Sequence, residues 1–143
     1  YQIEVSYPKS WEVAEEKFGV QVVFISPFEN DTDKFRENVN IVINDLEQNA
    51  GDLEVIAQNS MIQISQLISG FKLISYERVN FSGYEARLLV YIGGQGAFRL
   101  KFLQVLTIRD NRLYVITFTA QEDTFDRYLP VATDIINSFK ILR

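Results

Sequence analysis

The side chains that most often carry chemistry in proteins are missing from this chain, which has 0 His and 0 Cys among its 143 residues. Imidazole-dependent triads, cysteine nucleophiles, zinc fingers, iron–sulfur ligation and disulfides are therefore excluded. The remaining candidates are hydroxyls, carboxylates and cations. Ser26, Ser60 and Ser82 stand outside any Gly-x-Ser-x-Gly elbow, so a serine hydrolase would need a lysine base. Glu77 and Glu85 form a carboxylate pair for acid–base work, with no surrounding pattern that would separate their pKa values. These groups make no catalytic constellation, and the reading is that of a noncatalytic domain with no catalytic, cofactor-binding or metal-ligating residues.

Three further features bear on binding. Glu29-Asn30-Asp31-Thr32-Asp33, followed by Glu37, alternates oxygen ligands as calcium loops do. The sixth position, which requires Gly, is Lys34, and the twelfth, which requires a bidentate Glu, is Asn40, so a solvated acidic loop is expected. Gly93-Gly94-Gln95-Gly96 resembles a phosphate cradle, but it leads into an extended run at Phe98 instead of a helix carrying Lys-Ser or Lys-Thr. It reads as a mobile hairpin loop. Closing that hairpin would set Tyr91 opposite Arg99, with Lys101 and Arg87 on the same face, giving a small basic-aromatic spot suited to a carboxylate or an acidic partner. The competing reading pairs these cations with Glu85 and with acids of the second helix.

Those residues need elements to hold them. A hydrophobic content of 47% over this length supports one globular domain across residues 1–143. The formal charge of −5 opposes sequence-independent nucleic-acid binding, which depends on Lys and Arg replacing phosphate counterions. No apolar run approaches the roughly 20 residues needed to cross a bilayer. Tyr1 rather than Met opens the chain, which implies a trimmed or mature form whose signal or anchor, if any, lies upstream.

Ile3, Val5 and Tyr7 alternate with polar neighbours, and Trp11 to Phe18 and Val20 to Ile25 are extended runs divided by Gly19. Val39, Ile41 and Ile43 alternate with Asn38, Asn40 and Asn44, which predicts a half-buried strand with an amide-bearing outer face. At Asp52 the period becomes helical: Leu53, Ile56, Ala57, Met61, Ile64, Leu67 and Ile68 form a stripe, with Asp52 as cap and Gly70 beyond the end. Val55 through Phe71 contains no charge. The outer surface of this helix, including Gln58, Ile62, Gln63 and Gln66, therefore has the composition of an interface that avoids desolvating charges, or equally of an amide-coated solvent face.

Extended runs follow at Lys72 to Phe81, Glu85 to Ile92, Phe98 to Arg109 and Leu113 to Ala120, with turn residues between them. A second helix carries Phe125, Tyr128, Leu129, Ala132, Ile135, Ile136 and Phe139 behind a cap at Asp123 or Thr124, and Pro130 predicts a break and restart within it. A two-residue turn at Asp110-Asn111 would place Val105 opposite Ile116 and Leu103 opposite Phe118 on one face, with Leu106 opposite Val115 and Ile108 opposite Leu113 on the other. Both faces then read as apolar and each needs a cover. The expected fold is α+β: a three-layer α-β-α sandwich with a central antiparallel sheet of about six to eight strands and a long helix on each face.

Tyr7-Pro8 with Trp11, Gly19 leading into Val20-Gln21-Val22-Val23-Phe24, Glu37-Asn38-Val39-Asn40-Ile41 and Asn137-Ser138-Phe139 together resemble the PsbP-like superfamily over nearly the whole chain. The resemblance is to poorly characterised bacterial and archaeal PsbP-like proteins. The superfamily also includes the photosystem II extrinsic subunit PsbP and a Ran-binding nuclear-import factor. It implies an antiparallel sheet between helices, a noncatalytic accessory or protein-binding role, a protein partner, and an extracytoplasmic setting: periplasm, cell surface or thylakoid lumen. Because the chain lacks histidine, metal ligation ascribed to histidines in plant PsbP does not transfer. The alternative is a carrier of a small molecule or lipid, its pocket between helix and sheet among Phe24, Leu88, Phe102 and Phe118.

Overall fold

The computed structural model describes residues 3–17, 20–28 and 35–142. It is a mixed α+β fold with a seven-stranded antiparallel sheet, two helices and a separate two-stranded sheet. In chain order the strands are β1 Ile3–Glu4, β2 Glu12–Lys17, β3 Val20–Ile25, β4 Asn38–Asp45, β5 Ser69–Phe81, β6 Tyr84–Gln95, β7 Phe98–Arg109, β8 Arg112–Gln121 and β9 Lys140–Ile141. Helix α1 spans Leu53–Leu67 and lies between β4 and β5, while α2 spans Phe125–Asn137 and lies between β8 and β9. The large sheet runs β2-β3-β4-β8-β7-β6-β5, and β1 pairs with β9. The chain passes from β4 through α1, lays down β5 to β7 as a meander, and returns with β8 against β4.

Local chemistry explains most of these boundaries. The Asp52 carboxylate accepts the Val55 N–H at 3.0 Å and starts α1. Asp110 and Asn111 at φ 52° and 61°, and Ser82 and Gly83 at 51° and 85°, form two-residue turns whose positive φ values match the twist of the flanking strands. The β7–β8 register is the expected one, with Val105 facing Ile116, Leu103 facing Phe118, Leu106 facing Val115 and Ile108 facing Leu113.

Two apolar clusters hold the helices to the sheet. Phe125, Ala132, Ile135 and Ile136 of α2 pack with Val39, Ile41, Val105, Ile116 and Phe118. Ile56 of α1 packs with Leu89, Tyr91, Leu100, Phe102, Leu106 and Leu113. Trp11 is buried with its ring 6.5 Å from that of Tyr128, and Phe139 stacks on Phe81 at 5.6 Å.

Several expectations are corrected. The Gly93-Gly94-Gln95 stretch is not a loop: β6 continues through it and the turn is Gly96-Ala97, so Tyr91 faces Phe102, and Arg99 faces Gly94. That odd-numbered slip moves Tyr91 to the opposite face from Arg99 and Lys101. Only Ile3–Glu4 of the first alternating run is a strand, and Tyr7 is exposed against the Phe24 ring. Helix α2 continues through Pro130, because only the Asp126 carbonyl loses its partner and both residues are exposed to water. Leu67, placed in the buried stripe, is 83% exposed, as the helix ends there and the chain turns extended at Ile68. Gly70, at φ 65°, stands within β5 instead of closing the helix.

Candidate functional site

Helix α1 is anchored by ionic contacts at its first turn. Arg87 is 3% exposed, and its guanidinium donates from Nε to Glu54 Oε1 at 2.9 Å and from Nη1 to Glu85 Oε1 at 3.0 Å. Glu54 Oε2 accepts from the Tyr76 hydroxyl at 2.9 Å and from Gln58 Nε2 at 2.8 Å. The Gln58 amide, Arg87 and Tyr76 together hold the Glu54 carboxyl down to about 2, against an ordinary 4.5, with desolvation opposing them. Burial and the Glu54 carboxylate raise the Tyr76 phenol. Burial alone would lower Arg87, but its hydrogen bonds to Glu54 and Glu85 outweigh that and raise it.

This contact carries a pH signature. A carboxyl whose pKa is depressed by folding stabilises the fold above its ordinary value and loses that contribution as pH falls toward the folded one. Glu54 should therefore add to acid destabilisation as pH drops from about 4.5 to about 2. In Glu54→Gln the thermal midpoint should fall less steeply over that window than in the parent, and parallel curves would show that the pair contributes nothing.

The anchor turns the other side of α1 outward. Val55, Gln58, Asn59, Ile62, Gln63 and Gln66 are all exposed, Val55 by 46% and Ile62 by 56%. Val55, Asn59, Ile62 and Gln66 follow helical spacing along one stripe. Leu67 extends the apolar exposure at the helix end, and Leu73 and Ile74 on edge strand β5 are 39% and 49% exposed. Their sequence context gave no sign of this, because the β5 register shifts between Ser69/Lys72 and Leu73/Ser75 follow from pairing with β6.

The basic-aromatic spot does not assemble. Arg87 and Tyr91 are buried beside α1, Tyr91 stacked on Phe102 at 4.7 Å with burial raising its phenol, so neither reaches the surface. Arg99 is exposed and bonds Glu122 at 3.3 Å, while the Lys101 ammonium lies 4.5 Å from the Phe125 ring centroid. Arg99 lines an open cleft of about 530 Å³ together with Ala97, Phe98, Gln121, Glu122 and Asp123, where the acids offset its charge. Such an exposed pair contributes little stability.

Glu77 faces Leu88, which packs with the α2 cluster, whereas Glu85 bonds Arg87 beside α1, so the two carboxylates do not share a face. Ser26 is buried, and the Ser82 hydroxyl donates to the Phe139 carbonyl at 2.7 Å. Residues 29–34 of the acidic loop lie outside the described residues. Glu37 is 1% exposed and accepts from the Thr124 hydroxyl at 2.8 Å, tying the start of α2 to β4. Among the described residues no group of three or more acids is placed to hold a metal. The proposed carrier pocket is not formed by its four residues: Phe24, Leu88 and Phe118 belong to the α2 cluster and Phe102 to the α1 cluster. Among the described residues no helix is long and apolar enough to cross a membrane.

Comparison with known proteins gives a consistent relationship. The PsbP family model matches residues 1–141. PA94 of Pseudomonas aeruginosa, a protein of unknown function, superposes with a TM-score of 0.73 at 16% identity, over 100% of this chain and 99% of its own. Cyanobacterial PsbP (CyanoP) of Synechocystis sp. PCC 6803 does so with 0.69 at 22% identity, over 98% and 86%. LpqN of Mycobacterium tuberculosis, involved in cell envelope biogenesis, gives 0.69 at 12% identity, over 99% and 83%. At these identities the structures share the fold. Among the curated proteins no sequence match was found.

Proposed function

The chain belongs to the PsbP family, and from that premise we propose that it is a noncatalytic accessory module that docks a protein partner on the outer surface of α1, outside the cytoplasm. One observation carries this reading: a two-face amphipathic helix would set Lys and Glu outward, but α1 sets out Val55, Gln58, Ile62, Gln63 and Gln66. A contact formed there desolvates no charge, which is the composition of interface centres. The ion pair between buried Arg87 and half-buried Glu54 fixes the helix so that this surface is presented in one orientation.

The same reading gives a three-layer architecture with a helix on each side of the sheet. It is supported by β8, where Tyr114, Ile116, Phe118 and Ala120 join the α2 cluster while Leu113 and Val115 pack with the α1 cluster. Alternate residues of a strand point to opposite sides. An extracytoplasmic setting is supported by the family and by the shared fold of LpqN.

The test is Ile62→Lys. At a position 56% exposed the substitution should change folding stability by no more than about 0.5 kcal/mol. In the source cell the parent should migrate on native gels in an assembly larger than the chain alone, and the variant at the size of the free chain. Identical migration of folded parent and variant would remove α1 as the docking surface.

A further inference from the structure

The large sheet ends in two edge strands whose sequences differ. Strand β2, at one edge, has Glu12, Glu15, Glu16 and Lys17 among its six residues, a charge pattern that discourages pairing with another chain. Strand β5, at the other, runs for 13 residues with β6 on one side and no strand on the other. A strand in that position presents a row of unpaired backbone N–H and C=O groups. Its exposed side chains include Leu73, at 39%, and Ile74, at 49%, flanked by the charges of Lys72, Glu77 and Arg78. Among the described residues those three charges take part in no ion pair, whereas Arg36, Arg87, Arg99, Arg109 and Arg112 each hold an acid.

A bulge arranges these charges. Lys72 faces Ile92 and Glu77 faces Leu88, so five steps along β5 match four along β6, with the shift between Leu73 and Ser75. In a regular strand, residues five apart point to opposite sides of the sheet. The extra residue, Ile74, brings Lys72 and Glu77 onto one side. It likewise sets Leu73 and Tyr76, which face Tyr91 and Leu89, together on the other. The edge therefore carries a cation two ladder steps before Ser75 and an anion two steps after it.

We propose that β5 pairs antiparallel with β5 of a second copy of this chain, about a two-fold axis through Ser75, joining the two sheets into one. In that register Lys72 faces Glu77 of the second copy, and the symmetry repeats the contact, giving two cross-strand ion pairs. Leu73 meets Tyr76 on the other side of the sheet and Arg78 falls opposite Phe71, so no like charges oppose each other. Centring the pair on Glu77 or Arg78 would set like charges face to face. Centring it on Tyr76 would leave Lys72 opposite Val79 and Glu77 opposite Ser75. A foreign extended segment could add to the same backbone groups, but it would have to bring an acid and a base at this spacing, which the second copy already carries. Roughly eight residues a side, Phe71 to Arg78, is well below the about 20–30 of a standard interface, so the association is weak and separates on dilution. This inference concerns the sheet edge, not the outer side of α1, and stands or falls separately.

The experiment is analytical ultracentrifugation of the whole chain from about 1 μM to about 1 mM, the range in which a small interface associates. The parent should pass from monomer to dimer as concentration rises, and less readily at high salt. Lys72→Glu alone opposes two carboxylates and Glu77→Lys alone opposes two ammonium groups, so each should weaken the dimer by about tenfold or more. Both positions are exposed, so the melting temperature of either variant should stay close to that of the parent. An equimolar mixture of the two variants restores both ion pairs and should associate about as well as the parent, as should the double variant. Hydrogen exchange of the amides of residues 71–78 should slow as the dimer forms. Ile62→Lys should leave the dimer intact, which separates this result from docking on α1. A monomer throughout the range, a dimer indifferent to both single changes, a mixture that associates no better than either variant alone, or a dimer lost in Ile62→Lys would each overturn the proposal.

Discussion

Truncating Phe139 to Ala is expected to lower the free energy of unfolding by about 3–5 kcal/mol, the range for removing a fully buried aromatic. Phe139 is 1% exposed and stands just past Ser138, the residue that closes α2. Its ring stacks on Phe81 at 5.6 Å and meets Tyr114 edge-on at 6.0 Å, so one side chain joins the end of α2 to β5 and β8. Its carbonyl accepts from the Ser82 hydroxyl at 2.7 Å, which fixes the β5–β6 turn to the same point. The cavity left by alanine would be bounded by Tyr114 on β8, a strand paired on both sides, and by Phe81 where β5 enters its turn to β6, so collapse can recover little. In urea the midpoint should shift down with an unchanged slope, whereas Leu142→Ala, at a residue 45% exposed, should leave the midpoint nearly unmoved. Equal effects of the two substitutions would contradict the placement of Phe139.

The second large effect concerns Gly93. This residue is buried in β6 opposite Leu100, and the Ile68 side chain occupies the space where a Cβ would project. The Ser69 carbonyl oxygen, 3.3 Å from the same point, closes the other direction. Gly93→Ala must displace Ile68, which caps the end of α1, and should cost about 1–3 kcal/mol as overpacking does. Hydrogen exchange should quicken in the last turn of α1. At Gly96 a Cβ would meet nothing within 4 Å, and only its φ of +61° opposes Ala, so Gly96→Ala should cost about 1–2 kcal/mol, the strain of the left-handed region alone. A Gly96 substitution more damaging than one at Gly93 would restore the loop reading of this stretch.

These glycines mark where the sequence was readable and where it was not. The β7–β8 pairing is legible because Asp110-Asn111 tolerates positive φ and the flanking runs are long and apolar. The β6–β7 pairing is not, since Gly93-Gly94 looks like punctuation, and only the Ile68 side chain arriving from α1 explains glycine inside a strand. Burial of Arg87 was equally hidden: its environment is built by Glu54, far away in the chain, and a lone arginine between apolar residues reads as an outer face. The outer composition of α1 depends only on helical periodicity, so it could be read directly.

The claim that α1 presents the docking surface is tested most directly by a photo-crosslinker placed in the source cell at Gln58, Ile62 and Gln66 in turn, with Thr133 on the exposed side of α2 as control. The account predicts one adduct of the same partner from all three α1 positions, none from Thr133, and loss of the adduct at Gln66 when Ile62 is also changed to Lys. Adducts from Thr133 alone, or adducts at Gln66 that persist beside Ile62→Lys, would contradict it.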